Sequence, residues 1–177
     1  MRNAILQWKD HGDVEVGKNL SSALALLLVR GISEGSQTIP HGKPVPGSAR
    51  RFDVVAVVPA PSSSASMVQR GRLHTKELAV SVVETLQERG IPAELSLGLE
   101  MVGRRKKSVE VGGVKSRERR SKSGMVVRLR RFPENCHDVI LVDDICTTGS
   151  TLLGCARQLH KSGYRVLHAL TLAAVPD

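Results

Sequence analysis

The sequence predicts an α/β fold, a mainly parallel central sheet flanked by helices, and three observations lead to this prediction. Two continuous apolar runs, Asp53 to Pro59 and Val139 to Val142, have the composition of strands covered on both faces. Segments of helical periodicity alternate with the predicted strands, which is typical of parallel sheets with right-handed crossovers. The chain has 177 residues, 41% of them hydrophobic, which is enough for one domain with a core and too few for two. We therefore expect a single domain over residues 1–177.

The first half of the chain is predicted to contain two helices. The first runs from Asn19 to Arg30, is largely buried and stops at Gly31. Residues 32–51 are rich in Gly, Pro and Ser and lack periodicity, so they form a long connection. The second helix runs from Thr75 to Arg89 and is ended by Gly90-Ile91-Pro92. Its inward face carries five apolar residues: Leu78, Ala79, Val82, Val83 and Leu86.

The second half of the chain is predicted to supply further strands and one more helix. Short strands are expected near Ala93 to Leu97, from Met125 to Leu129 and from Val166 to Leu172. The helix runs from Ser150 to Ser162 and stops at Gly163. Its inward residues are Leu152, Leu153, Ala156 and Leu159. Ligands of such sheets gather beyond the carboxyl ends of the strands, which is where we expect the functional site.

The net charge of +9 comes from one segment of the chain. Twelve of the 26 Lys and Arg residues lie between Arg104 and Arg131 against two acids, so this segment carries +10 and the remainder −1. No apolar stripe runs through Gly103 to Gly124, and residues 104–124 are predicted to form a flexible basic loop. Aromatic residues for stacking on bases are scarce, which favours an anion-binding loop over a general nucleic-acid surface. A solvated run of charge stays an alternative, and any nucleic-acid binding is expected to be weak and salt-sensitive.

The cysteines, the histidines and the longest apolar run indicate where in the cell the protein is expected to be. The three cysteines, Cys136, Cys146 and Cys155, form no Cys-x-x-Cys pair, so they are predicted to be reduced thiols. The six histidines are not spaced as metal ligands and are predicted to be surface or packing residues. The longest apolar run, Ala23 to Val29, is too short to span a membrane, and no signal peptide is recognisable. These patterns predict a cytoplasmic protein.

The segment Val139 to Thr151, VILVDDICTTGST, carries the chemistry. A buried strand ends in the adjacent acids Asp143 and Asp144, and a glycine-containing turn then opens a helix. Backbone N–H groups at such a turn, together with the helix dipole, bind phosphate. Carboxylates do not bind phosphate, but they accept hydrogen bonds from a sugar diol and favour positive charge developing on a ribose. A ribose 5-phosphate matches both parts of the segment, because its phosphate suits the turn and its ribose hydroxyls suit the acids. The turn supplies Thr147, Thr148, Gly149, Ser150 and Thr151.

The residues of this segment disfavour two other interpretations. The residues could only cap the loop and the helix, but a cap needs one such residue and not seven. Neither the G-x-x-x-x-G-K-[ST] nor the G-x-G-x-x-G pattern is present, which argues against a P-loop and a dinucleotide fingerprint.

The segment resembles the signature of type I phosphoribosyltransferases, with Cys146 at a position usually filled by an aliphatic residue. Further features resemble the competence protein F family: VVPAP at 57–61, QRGR at 69–72 before a helix starting near His74, Ala4 to Asp10, and the basic stretch Arg104 to Arg119. Arg72-Leu73-His74 stands where that family usually has Phe-Asn-Gln, Glu110 where a Gln is usual, and the cysteine-rich zinc module of many relatives is lacking.

The resemblance implies a type I phosphoribosyltransferase-like fold and a set of roles. Asp143 and Asp144 would be the catalytic acids, and Thr147 to Thr151 would bind 5-phosphoribosyl-1-pyrophosphate. Pyrophosphate would be held by the turn after the first strand and by the basic loop, which would close over it. The turn supplies Ala60, Pro61, Ser62 and Ser63, although an ordinary serine-rich turn stays an alternative for it. The loop supplies Arg117 and Arg119, and Arg70 is a further residue assigned to pyrophosphate. Mg²⁺ would be held through ligand oxygens and water, with no direct protein ligand.

The activity implied is transfer of ribose 5-phosphate to a nitrogen acceptor with release of pyrophosphate, a step of nucleotide metabolism. The acceptor cannot be identified from the sequence, and residues 1–51 or a partner chain would supply any hood over it. The oligomeric state is open, with a homodimer as one alternative. A non-catalytic accessory protein of competence and DNA uptake that binds the same ligand, or a plain nucleic-acid binder, stays an alternative function.

Overall fold

The computed structural model describes residues 5, 8, 14–33, 54–62, 73–102, 126–133 and 135–175. Its helices are α1 (Val14–Ser33), α2 (His74–Glu88) and α3 (Ser150–Lys161). Its strands are β1 (Val54–Pro59), β2 (Ala93–Leu95), β3 (Leu99–Val102), β4 (Val126–Leu129), β5 (Cys136–Cys146) and β6 (Arg165–Ala174).

The central sheet has four parallel strands in the order β2, β1, β5, β6, which confirms the predicted fold class. Strand β1 pairs with both β2 and β5, with Val57 opposite Leu95 on one side and Ile140 on the other. A separate antiparallel pair is formed by β3 and β4. Because the four central strands are parallel, their carboxyl ends meet at one edge, where α/β proteins bind ligands.

The core has one apolar cluster on each face of the sheet. Successive side chains of a strand point to opposite faces, so Val55 and Val57 join one cluster while Ala56 and Val58 join the other. This alternation explains why β1 is apolar at every position. The first cluster packs the sheet against α1 and α2, and the second packs it against α3. The predicted inward face of α2 is confirmed for Leu78, Ala79, Val82 and Leu86, all fully buried.

The predicted bounds and burial of the first helix were wrong, and so was one side chain predicted to point inward from the last helix. Helix α1 begins at Val14 and continues through Gly31 to Ser33, so that glycine is not its stop. It is also not largely buried, because Leu26 and Leu27 on its outer side are 67% and 53% exposed. Leu153 of α3 is exposed as well, since the buried stripe follows Cys155 and Leu159.

Two strands also differ from the prediction. Strand β5 extends to Cys146, beyond the predicted Val142, because its pairing with β6 continues to its last residue. Strand β3 was not predicted, since its four residues are too few to show a period; it is defined by pairing with β4. The basic stretch 104–124 and all but two residues of the predicted connection 32–51 lie outside the described residues.

Trp8, the single tryptophan, is buried between α1 and α2. Its indole N–H donates to Glu77 Oε2 at 3.1 Å. Its ring meets the His74 ring edge-on, with 5.4 Å between centroids. Gly17 of α1 makes room for it, because a Cβ added there would lie 2.6 Å from the indole nitrogen. The glycine is therefore required by a close approach and not by its backbone conformation.

Gly17→Ala is expected to displace Trp8, to lower the melting temperature and to shift the tryptophan emission to longer wavelength. Overpacking costs about 1–3 kcal/mol, more than the roughly 0.5–1 kcal/mol that alanine gains over glycine inside a helix. Fluorescence and thermal melting check this. Ser22→Ala, at an exposed position of the same helix, is the control and should leave the emission unchanged. An unchanged spectrum for Gly17→Ala would contradict the packing described.

Candidate active site

Two chain segments meet at the carboxyl edge of the sheet. Pro59, the last residue of β1, is opposite Val142 of β5, and the N–H of Ala60 donates to the Val142 carbonyl at 2.7 Å. The turn that begins at Ala60 therefore starts beside the acid pair that follows Val142. Ala60 and Pro61 are buried and Ser62 is half-buried. The structure thus brings the described part of the predicted pyrophosphate turn next to the predicted ribose acids.

The loop Thr147 to Thr151, which we call the phosphate cradle, opens helix α3. Gly149 is the N-cap residue, with φ 66°, a left-handed conformation that favours glycine. Because the N-cap has no side chain, it cannot cap the helix as a serine or threonine would. Thr148 Oγ1 donates to Ser150 Oγ at 3.0 Å, and both side chains are exposed. The cradle therefore presents hydroxyl groups and the amino end of a helix, which together suit an anion.

The cradle and Asp143 line one small cavity of about 20 Å³, with Cys146 also at its wall. Asp143 is half-buried, and its Oδ1 accepts the N–H of Asp144 at 2.9 Å. A carboxylate thus lies beside a turn whose groups suit an anion, and a carboxylate accepts hydrogen bonds from hydroxyl groups.

Asp144 has a different environment from its neighbour. It is 4% exposed, its Oδ1 accepts the N–H of Ile145 at 2.7 Å, and its Oδ2 lies 2.9 Å from His74 Nε2. An ionised carboxylate only accepts, so the imidazole is the donor in this contact. The sequence suggested one shared task for the two acids; the structure turns Asp144 inward and leaves Asp143 at the cavity.

His74 is a residue that sequence reasoning missed, since it was predicted to be a surface or packing residue. It is the first residue of α2 and is 2% exposed. The next residue, Thr75, donates from Oγ1 to the carbonyl of Ala60 at 3.1 Å. The start of α2 therefore contacts both the turn after β1 and the acid pair. The available signal was the replacement of a usual Gln by His at this position.

The four remaining predicted site residues, Ser63, Arg70, Arg117 and Arg119, lie outside the described residues.

Within the described ranges, no group of three or more His, Cys, Asp or Glu side chains is arranged to hold a metal ion. None of the described helices is long and apolar enough to cross a membrane. The oxygen donors at the cavity, the Asp143 carboxylate and the cradle hydroxyls, are of the type that Mg²⁺ accepts when it keeps most of its waters.

The three cysteines are free thiols, as predicted, and differ in burial. Cys136 and Cys155 are buried, whereas Cys146 is half-buried at the cavity wall. Burial, reinforced by the negative charge of Asp143, raises the pKa of Cys155 to about 12. Burial also raises the pKa of Cys136. Both buried thiols therefore stay protonated at neutral pH, and the thiolate is the reactive form.

Alkylation of the native protein near pH 8 is expected to label Cys146 first and to leave Cys155 unlabelled until the protein unfolds. A raised pKa keeps the thiol protonated until the pH approaches that value, so raising the pH to about 10 should still spare Cys155. Peptide mass spectrometry identifies the labelled residue. Labelling of Cys155 as fast as Cys146 in the folded state would contradict the burial described.

Comparisons with known proteins give distant structural similarities. The chain is similar to the hypoxanthine phosphoribosyltransferase of Trypanosoma cruzi in a ternary substrate complex, with 14% identity, 91% of this chain and 78% of that chain covered, and a TM-score of 0.45. It is similar to an adenine phosphoribosyltransferase, with 12% identity, 94% and 74% covered, and a TM-score of 0.45. It is also similar to the orotate phosphoribosyltransferase of Aeropyrum pernix, with 12% identity, 94% of this chain and 75% of that chain covered, and a TM-score of 0.43. No family model and no curated protein matches the sequence.

Proposed function

We propose that the chain is a phosphoribosyltransferase that binds 5-phosphoribosyl-1-pyrophosphate with Mg²⁺ and transfers ribose 5-phosphate to a nitrogen acceptor, releasing pyrophosphate. One observation carries the proposal: Asp143 and the phosphate cradle line the same cavity at the carboxyl edge of a parallel sheet. A carboxylate beside an anion site matches a ligand that carries both hydroxyl groups and a phosphate monoester. The resemblance of Val139 to Thr151 to the type I signature supports the same ligand.

The 5-phosphate would lie in the cradle, against backbone N–H groups at the start of α3 and the hydroxyls of Thr148 and Ser150. Asp143 would accept hydrogen bonds from the ribose hydroxyls. As the bond to pyrophosphate breaks, positive charge develops on the ribose, and a fixed carboxylate in a half-buried position stabilises that charge. Asp143 and the cradle thus bind the same substrate through its two chemically different parts.

Pyrophosphate would lie toward the turn after β1, where the backbone N–H groups of Ser62 and Ser63 would be the donors. The Ala60 N–H already donates to Val142, and Pro61 has no N–H. Arg70, Arg117 and Arg119 are proposed to neutralise its charge, on the basis of the sequence. Mg²⁺ would be carried by pyrophosphate oxygens and by water held at Asp143, and it would screen the charge of the leaving group. Binding, orientation and charge stabilisation are then the main contributions of the protein.

Pyrophosphate release in the presence of Mg²⁺, measured across a panel of purines, pyrimidines and simple amines, tests this function. We expect release that depends on one class of nitrogen acceptor. Tight ligand binding without release for any acceptor would instead support an accessory protein that senses the ligand. DNA binding whose salt dependence is reduced by Arg117→Ala and Arg119→Ala, with no binding of the phosphoribosyl ligand, would favour the nucleic-acid alternative.

A further inference from the structure

The first two residues of α2 contact both sides of the candidate site. Thr75 Oγ1 donates to the carbonyl of Ala60, in the turn after β1. His74 Nε2 is 2.9 Å from Asp144 Oδ2, in the acid pair after β5. The side chains of His74 and Asp144 are nearly inaccessible, with 3% and 6% of their surface exposed. Water therefore does not compete for this contact, and its geometry is fixed by the packing around it.

Two hydrogen bonds, joined through the side chain and backbone of Asp144, connect His74 to the cavity. Its Nε2 contacts Oδ2 of Asp144, and the backbone N–H of Asp144 donates to Oδ1 of Asp143. The other oxygen of Asp144 accepts the N–H of Ile145, so this carboxylate is held at both ends. The orientation of the Asp143 carboxylate is therefore coupled to the position of Asp144, and through it to His74.

The His74 ring is itself held in place, and among the described residues only its Nε2 makes a hydrogen bond. Trp8 packs edge-on against it, with 79° between the ring planes. Its Nδ1 is buried and has no hydrogen-bond partner among the described residues. The ring is thus oriented by its packing against Trp8 and by the contact between Nε2 and Asp144.

We propose that His74 is a positioning residue of the site: it anchors Asp144 and thereby aims Asp143 at the ribose of the bound ligand. This inference rests on the proposed function, because it assigns Asp143 to the ribose. His74 does not touch the substrate and acts only through Asp144. The cradle, whose contacts belong to the start of α3, does not depend on this anchor.

Two amide substitutions separate the roles of the ring nitrogens. His74→Gln places an amide nitrogen four bonds from Cα, as far along the side chain as Nε2, so it can still donate to Asp144. His74→Asn places it three bonds from Cα, as far as Nδ1, so it loses the contact with Asp144. Both variants remove the aromatic ring, and the packing loss next to Trp8 is therefore common to both.

Affinity for 5-phosphoribosyl-1-pyrophosphate with Mg²⁺ is measured by calorimetry, and inorganic phosphate serves as a probe of the cradle alone. We expect His74→Gln to bind the phosphoribosyl ligand within about threefold of wild type and His74→Asn to bind it on the order of tenfold or more weakly, the effect of losing a hydrogen bond to a charged group. Phosphate affinity should be the same in all three proteins.

The outcomes distinguish a failure of the proposed function from a failure of the role proposed for His74. If wild-type protein does not bind the phosphoribosyl ligand, the proposed function fails and this inference fails with it. If wild type binds and both variants bind equally well, or lose the same amount, the Nε2 contact does not position the acid pair and only the inference is overturned. Parallel losses for inorganic phosphate would show general damage to the site and would likewise overturn it.

Discussion

Gly149→Asp is expected to abolish binding of 5-phosphoribosyl-1-pyrophosphate while leaving the chain folded. Asp tolerates the left-handed conformation better than most residues, and a Cβ at Gly149 would meet only Cys146 Sγ, at 3.7 Å, among the described atoms. The new carboxylate would lie in the phosphate cradle. Two like charges about 4 Å apart near a protein surface repel by roughly 4 kcal/mol, which exceeds what one favourable contact contributes.

Thermal melting measures the loss. A ligand present at a hundred times its dissociation constant stabilises the folded state by about 2.7 kcal/mol, and wild-type protein should show the corresponding rise in melting temperature. Gly149→Asp should show none. The matched control is Gly90→Asp, which makes the same substitution at φ 73°, at a position with open space around it in the described structure. Its ligand-induced rise should equal that of wild type.

The result that would contradict this prediction is a Gly149→Asp variant that keeps the full ligand-induced rise. The loop would then be a helix-capping turn and not an anion site. If Gly90→Asp also lost the rise, the loss would reflect general destabilisation, and the comparison would not support the cradle.

Asp143→Asn is expected to reduce the ligand-induced rise to less than half of the wild-type value, with little change in the melting temperature of the free protein. Asn keeps an oxygen that can accept the Asp144 N–H, so this local hydrogen bond survives. It removes the charge facing the ligand, and hydrogen bonds to charged groups contribute about 1.5–3 kcal/mol. Calorimetric titration gives the loss of affinity directly.

Asp144→Asn is the contrasting variant: it should lower the stability of the free protein as well as weaken ligand binding, because Asp144 holds Asp143 in position. Its carboxylate is buried and accepts from both Ile145 N–H and His74, whereas Asn has one acceptor oxygen. One buried donor would be left unpaired or would face another donor, at a cost of about 1–3 kcal/mol. If Asp143→Asn kept full affinity, or if it destabilised the free protein more than Asp144→Asn, the division of roles between the two acids would be wrong.

The fold class and the glycine-containing turn that opens α3 could be predicted because their signals are local. Asp143 to Thr151 are contiguous, so the order of acids, hydroxyls and glycine is visible in the sequence itself. The parallel sheet was predictable because strands buried on both faces are apolar at every position, as β1 is. Both signals depend on neighbours in the chain and not on tertiary contacts.

The inward turn of Asp144 could not be predicted, because its partner lies 70 residues away and imidazole side chains have many uses. Tertiary packing also decided that Leu153 is exposed, where periodicity alone had predicted it to point inward. Gly31 was interpreted as a helix stop on residue type alone. The helix continues past it, because a glycine ends a helix only where the chain takes up a C-capping conformation.

Calorimetric titration of 5-phosphoribosyl-1-pyrophosphate into wild-type protein with Mg²⁺ tests the central claim most directly. We expect saturable binding with one site per chain, competition by ribose 5-phosphate, which fills the cradle but lacks the pyrophosphate, and no binding heat for Gly149→Asp. Absence of binding to wild type at about 1 mM ligand, the upper end of ordinary substrate affinities, would contradict the claim that Asp143 and the cradle form a phosphoribosyl site.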